Sequence, residues 1–254
     1  MTAPGLQGFA NQTRREAGTW WSTGRWWMQI VIWSSIVNGL LAVMLWVVPR
    51  LETLVGGVEI TVEGSAAQFA GMAGMITAIG VVVTSQGILV DEHRVGLLEW
   101  MLSKPLSRGA LLAAKFVAHA LAILAVLVLV PWLGVLAQLS LSHGGLWPLC
   151  RWLGAVALVG LLAVFHLALV LALSALTWSR ALIVALPLVG IIGTDLLVAF
   201  VPGAFDVLPW SLGPLAGPVL AGGMLIGPGP ILATAVLTLL CLAAAAVGLR
   251  RKEL

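Results

Sequence analysis

The chain has 254 residues, of which 61% are hydrophobic and 9% charged, with a formal net charge of +3. A soluble domain carries about 25% charged residues, so the composition excludes a soluble globular domain. It predicts an all-α polytopic membrane protein, with the lipid bilayer as its main partner and no nucleic acid.

A bilayer span needs about 20 apolar residues, and six runs meet that length, at 26–48, 66–90, 109–138, 152–178, 181–201 and 230–249. Residues 8–25 precede the first run. Phe9, Ala17, Trp20 and Trp27 fall near one helical face there, and Asn11, Arg15, Ser22 and Arg25 on another. The segment reads either as an interfacial helix or as a partly disordered tail. Residues 49–65 carry Glu52, Glu59 and Glu63. Val58, Ile60 and Val62 alternate with polar residues after Gly56-Gly57, which predicts a short strand or hairpin. The third run tilts, or bends at Pro131, where a backbone donor is missing. The fourth and fifth are joined by a tight turn at Trp178-Ser179-Arg180, and Pro187 is a candidate kink in the fifth. Residues 202–229 hold five prolines, seven glycines and no Lys or Arg. They read either as short broken helices re-entering the membrane, packed against protein, or as an apolar loop.

With six spans, both termini share a side. That side holds Arg14, Arg15, Arg25, Arg94, Lys104, Arg108, Lys115, Arg180, Arg250, Arg251 and Lys252, against Arg50 and Arg151 on the other. Such a bias puts both termini and the segment 91–108 in the cytoplasm. Several of the tryptophans, among them Trp20, Trp26, Trp46, Trp147 and Trp178, lie near span ends, as aromatic belts do.

The segment 91–108, DEHRVGLLEWMLSKPLSR, is a charged island between the second and third spans. Glu92, Gly96, Glu99 and Ser103 follow i, i+4, i+7, i+11 spacing, which predicts one helical face. Leu98, Met101 and Leu102 line another, with Val95 beside them. Pro105 ends the helix, and Ser107 is placed to cap the next one. The result is a short helix parallel to the membrane, apolar side on the bundle and carboxylates toward the cytosol. A solvated loop helix is the plain alternative.

These residues carry a family resemblance. Asp91-Glu92, Gly96, Leu98-Glu99, Leu102-Ser103-Lys104-Pro105-Leu106-Ser107-Arg108 and Lys115-Phe116 resemble the signature of ABC-2 type transporter permeases. That signature reads roughly D-E-R-x-x-G-T-L-E-x-L-L-S-x-P-V-S-R, followed by G-K-F. The chain differs at His93, Leu97 and Ala114. The resemblance implies a single transmembrane domain over 1–254, paired with a second permease subunit as a homo- or heterodimer. It implies an elbow helix at 8–25, a coupling helix within 91–108, and an outward re-entrant segment at 202–229 between the fifth and sixth spans. It further implies a separate ATP-binding subunit that holds the ATP and Mg, and a substrate moved, by export, across a prokaryotic plasma (inner) membrane. Glu92, Gly96, Leu98, Glu99, Ser103, Pro105 and Arg108 would then contact that subunit. A non-transporting scaffold or sensor coupled to an ATPase is the alternative.

No G-x-x-x-x-G-K-[ST] loop is present, so ATP hydrolysis is expected on a partner chain, and the chain itself is not expected to be an enzyme. Cys150 and Cys241 have no metal-ligand spacing. An intramembrane carboxylate is costly, which marks Asp195 as a functional candidate or as the cap of a broken helix. His119 and His166 read as satisfied packing residues, with His166 a further functional candidate. Lys115 lies two turns into the third span, within snorkelling reach of the surface.

Overall fold

The computed structural model describes residues 8–55, 57, 60–102, 107–201, 203, 207–223 and 227–251. Without water in hydrocarbon, each peptide group must be satisfied inside the protein, and among the described residues the regular elements are all helical. In chain order they are α1 (Phe9–Trp21), α2 (Arg25–Leu54), α3 (Val62–Ser85), α4 (Val90–Arg94), α5 (Leu97–Leu102), α6 (Arg108–His143), α7 (Leu149–Thr177), α8 (Arg180–Phe200), α9 (Leu212–Ala221) and α10 (Gly229–Arg251). Five helical stretches are long and apolar enough to cross a membrane: α2, α3 with its continuation to Arg94, α6, α7 and α10. The remaining expected span is α8, of which the apolar stretch Arg180–Thr194 is shorter than that criterion.

Two sequence expectations fail at helix starts. The strand expected around Val58–Val62 is not formed at its described end, because Val62 opens α3. Thr61 Oγ1 accepts from Gly64 N at 3.1 Å, and Glu63 suits the positive helix terminus. Val58 and Glu59 lie outside the described residues. In α1 the side chains buried within the protein are Gln12 and Glu16. Trp27 falls on α2, because the chain turns at Ser22–Gly24.

α2 and α6 each contain a π-helical turn, Val43–Val47 and Leu124–Leu129, followed by a proline, Pro49 or Pro131. A proline ring clashes with the carbonyl four residues earlier. Here that carbonyl belongs to Leu45 or Leu127, inside the widened turn. The helix thus absorbs each proline without ending. Asn38 of α2 donates to the Pro131 carbonyl at 3.1 Å and accepts from Gln138 Nε2 at 2.8 Å. A Cβ on Gly134 would collide with Asn38, so the glycine admits this polar clasp.

α7 is the axis of the bundle, packed against α3, α8, α9 and α10. Lipid is as apolar as a leucine side chain, so helices here associate by close packing of small residues. A Cβ on Gly74 of α3 would lie 2.6 Å from Gly213 Cα, and one on Gly217 would lie 2.4 Å from the Ala67 carbonyl oxygen. Gly213 and Gly217 form the G-x-x-x-G face on which α9 meets α3. Arg151, at the start of α7, donates to the Ala221 carbonyl at 3.3 Å and so caps the C-terminus of α9.

Gly74→Val drives a side chain into the Gly213 backbone at this crossing. It should cost about 1–3 kcal/mol and lower the thermal unfolding midpoint of the detergent-purified protein. Gly39→Ala, with nothing within 4 Å of the new Cβ, should leave that midpoint unchanged or slightly raised.

Candidate functional site

Most of the described basic residues, though not Arg50 or Arg151, gather at one end of the bundle, and their contacts fix the segment between α3 and α6. The expected single helix is two, α4 and α5, because Gly96 takes φ +68° between them. That left-handed conformation favours glycine and resets the helical phase. Glu92 and Leu98 therefore do not share the continuous register that the spacing predicted. Leu98 and Met101 are buried against the bundle as expected, whereas Val95 and Trp100 are 76% and 54% exposed. Ser103, Lys104, Pro105 and Leu106 and the side chains of Glu99, Leu102 and Asp195 lie outside the described residues.

Glu92 does not face the solvent. Its carboxylate lies 2.8 Å from Lys115 Nζ, and the same ammonium lies 3.0 Å from Glu16 of α1. The side chains of Lys115, Glu16 and Glu92 are 1%, 5% and 18% exposed. Lys115 thus does not snorkel outward; it is sealed under α1. Gln12 Nε2 donates to Glu16 Oε1 at 2.6 Å, and Arg15 and Gln12 both reach the Met101 sulfur.

Two further contacts bind α4 to the turn between α7 and α8. Asp91 pairs with Arg180. The His93 ring stacks on Trp178, with centroids 4.2 Å apart and planes 16° apart. Trp178 itself takes φ 55° and ends α7, so the tight turn presents its indole to α4. Ser107 Oγ accepts from Ala110 N at 3.0 Å and caps α6. Arg108 donates to the carbonyls of Leu249 and Arg250 at 3.0 and 2.8 Å, a cation at the negative end of α10. The island is therefore joined to α1, α6 and the α7–α8 turn, and α6 to the end of α10.

His166 sits fully buried in α7. Its Nδ1 donates to the Leu162 carbonyl at 2.8 Å, which leaves Nε2 to accept from Trp210 Nε1 at 3.2 Å. Trp210 also lies against Phe165 and over Gly190 of α8. His166 thus anchors the segment that leads into α9. Beside it, between α3, α8 and α9, is a cavity of about 400 Å³ whose lining includes Gln68, Met72, Met75, Thr194 and Trp210. Its walls suit an apolar molecule with few polar groups. Among the described residues no three His, Cys, Asp or Glu side chains are grouped to hold a metal ion.

The ion cluster and the G-x-x-x-G crossing were both missed by sequence reasoning. The glycine spacing was a usable signal. Glu16 and Lys115 are 99 residues apart, and nothing in the sequence pairs them.

Lys115→Met would leave two carboxylates without their cation, a loss of roughly 3–5 kcal/mol for a broken buried pair. The midpoint of thermal unfolding should fall accordingly. Adding Glu16→Gln and Glu92→Gln to Lys115→Met should recover most of it, since no uncompensated charge then remains.

A comparison with curated proteins gave no match. The family model described as ABC-2 family transporter protein matches residues 20–205. That stretch includes the long apolar helices α2, α3, α6 and α7, together with the keyed segment between α3 and α6. The chain belongs to the ABC-2 family of transporter membrane proteins.

Proposed function

We propose that the chain is the membrane-spanning permease subunit of an ATP-driven transporter, exporting a substrate on energy from a separate ATPase subunit. Both termini and the α4–α5 segment are cytoplasmic, in keeping with the distribution of basic residues. α8 completes six spans, α1 is the elbow helix, and residues 202–229 re-enter the bilayer from the outer side. The depth of Trp210 against His166 supports that last reading. A second permease subunit, identical or related, completes the route, and the partner ATPase holds ATP and Mg. The membrane is the plasma membrane of a prokaryotic cell.

The observation that carries the proposal is the keying of α4. A transporter must convert closure of ATPase subunits into reorientation of spans, and a loose loop would absorb that movement. Here α4 is locked to α1 and α6 through Lys115, and to the α7–α8 turn through Asp91–Arg180 and His93–Trp178. Exposed Val95 and Trp100 meet the ATPase, with Glu99, Ser103 and Pro105 beside them by motif position. Gly96 supplies the bend that presents them. Glu92 and Leu98 face inward, Arg108 grips the end of α10, and the three carry the movement into the bundle. Substrate passes by the cavity at Met72, Met75 and Trp210, with Asp195 on the same helix as Thr194.

Trp100→Ala together with Val95→Asp should reduce ATPase co-purification at least about tenfold while the permease still inserts and folds. Asp91→Arg and Arg180→Asp should each lower substrate-stimulated ATP hydrolysis by the reconstituted complex. The double swap should restore it, because the exposed pair contributes little to stability itself. Full activity in both single variants would contradict the proposed route.

A further inference from the structure

A second pocket, separate from the ion cluster and the outer cavity, lies where α1 turns into α2. Its volume is about 440 Å³; it is lined by residues of α1, α2, α3 and α6 and open on the side where Thr19, Arg25 and Met28 are exposed. Arg25 projects into it from the first turn of α2 and makes no hydrogen bond or ion pair among the described residues. That helix start has no side-chain cap and no acidic residue. A cation there is unfavourable by itself, and the bare amides add positive potential. Both are relieved by one anion in the pocket.

The rest of the lining defines the other half of the ligand. Gln29 Oε1 accepts from Trp33 at 2.7 Å, so its amide N–H groups are left to donate beside Arg25. Thr19 and Thr84 spend their hydroxyl protons on the carbonyls of Glu16 and Gly80, at 2.7 and 2.8 Å. Each oxygen then presents lone pairs. His119 is 92% buried, its exposure being 8%. Its Nδ1 is occupied by the Lys115 carbonyl at 2.9 Å, which leaves Nε2 as an acceptor with no partner among the described residues. Trp20 holds that ring edge-on at 5.8 Å. Met28 and Val83 are apolar and half exposed at the outer surface of the bundle. The pocket therefore offers donors for an anion, acceptors for a donor-bearing group, and an apolar exit.

We propose that this pocket binds a glycerophospholipid whose headgroup carries hydrogen-bond donors, such as an ethanolamine ammonium. Its phosphate lies on Arg25 and Gln29, its headgroup donor reaches His119, Thr19 and Thr84, and its acyl chains run past Met28 and Val83. Choline carries no donor and leaves the acceptor of buried His119 unpaired, at the cost of an unsatisfied buried group. The bound lipid clamps α1 against α2 and α6 within one helical turn of the Glu16–Lys115 pair, and so stabilises the docked position of α1. This site depends on the packing of α1 and not on transport; a complex that failed to transport could still bind the lipid.

The test is native mass spectrometry of the full-length chain, delipidated in detergent and titrated with phosphatidylethanolamine or phosphatidylcholine of matched acyl chains. Both are zwitterionic, so net charge is held constant. Phosphatidylethanolamine should be retained about tenfold more strongly. Arg25→Gln should lower its retention about tenfold, whereas Arg50→Gln, an exposed arginine at the other end, should not. Since Arg25 has no partner among the described residues, its variant should unfold at the wild-type temperature when lipid-free. Soluble phosphoethanolamine should fail to displace the lipid. Equal retention of the two lipids, equal effects of the two arginine variants, or displacement by the soluble headgroup would each overturn the proposal.

Discussion

One ammonium group organises the end of the bundle where the charged residues gather. Lys115, its side chain 1% exposed, is buried between a carboxylate of α1 and a carboxylate of α4. Such a group tolerates few geometries: withdraw either carboxylate and a buried cation loses half its compensation. Three segments remote in the chain are held in one relative placement. Around this point the looser contacts make sense. Met101 is reached by Gln12 and Arg15, Asp91 meets Arg180 at the surface, and Arg108 closes α10 onto α6.

The opposite half of the molecule is held by different physics. There α9 rests on α3 through glycines that bring backbones together, and Arg151 and His166 fix its two ends. Packed small residues give a contact that slides poorly and separates cleanly, so it is either made or broken. In the proposed transport cycle, α7 and α8 join the two halves. They begin or end at the turn that α4 grips, and they carry His166 and Gly190, which hold Trp210 beside the cavity.

Much of the helical framework was legible in the sequence because lipid imposes a length on apolar runs. The turn at Trp178–Arg180 and the Ser107 cap were readable for similarly local reasons. The single helix expected over 91–103 was not formed, since residue spacing assumes an unbroken register and Gly96 breaks it. The solvent-facing role expected of Glu92 failed because its partner lies in another span. The burial of Gln12 and Glu16 in α1 was not legible, because it follows ion pairing and not hydropathy. In lipid-facing helices both faces are apolar, so hydropathy alone could not say that α9 meets α3 through Gly213 and Gly217. That information lay in side-chain size.

The central claim is that α4 moves together with α1 and the start of α6 as one rigid unit. Pulsed electron spin resonance on the permease–ATPase complex tests it directly, with labels at Val95 and Trp21, and at Val95 and Leu146, all exposed positions. Between nucleotide-free and ATP-trapped states, the Val95–Trp21 distance should stay constant while the Val95–Leu146 distance, measured across the bundle, shifts. A change in Val95–Trp21 as large as that in Val95–Leu146 would show that α4 slides free of α1, and would contradict the account.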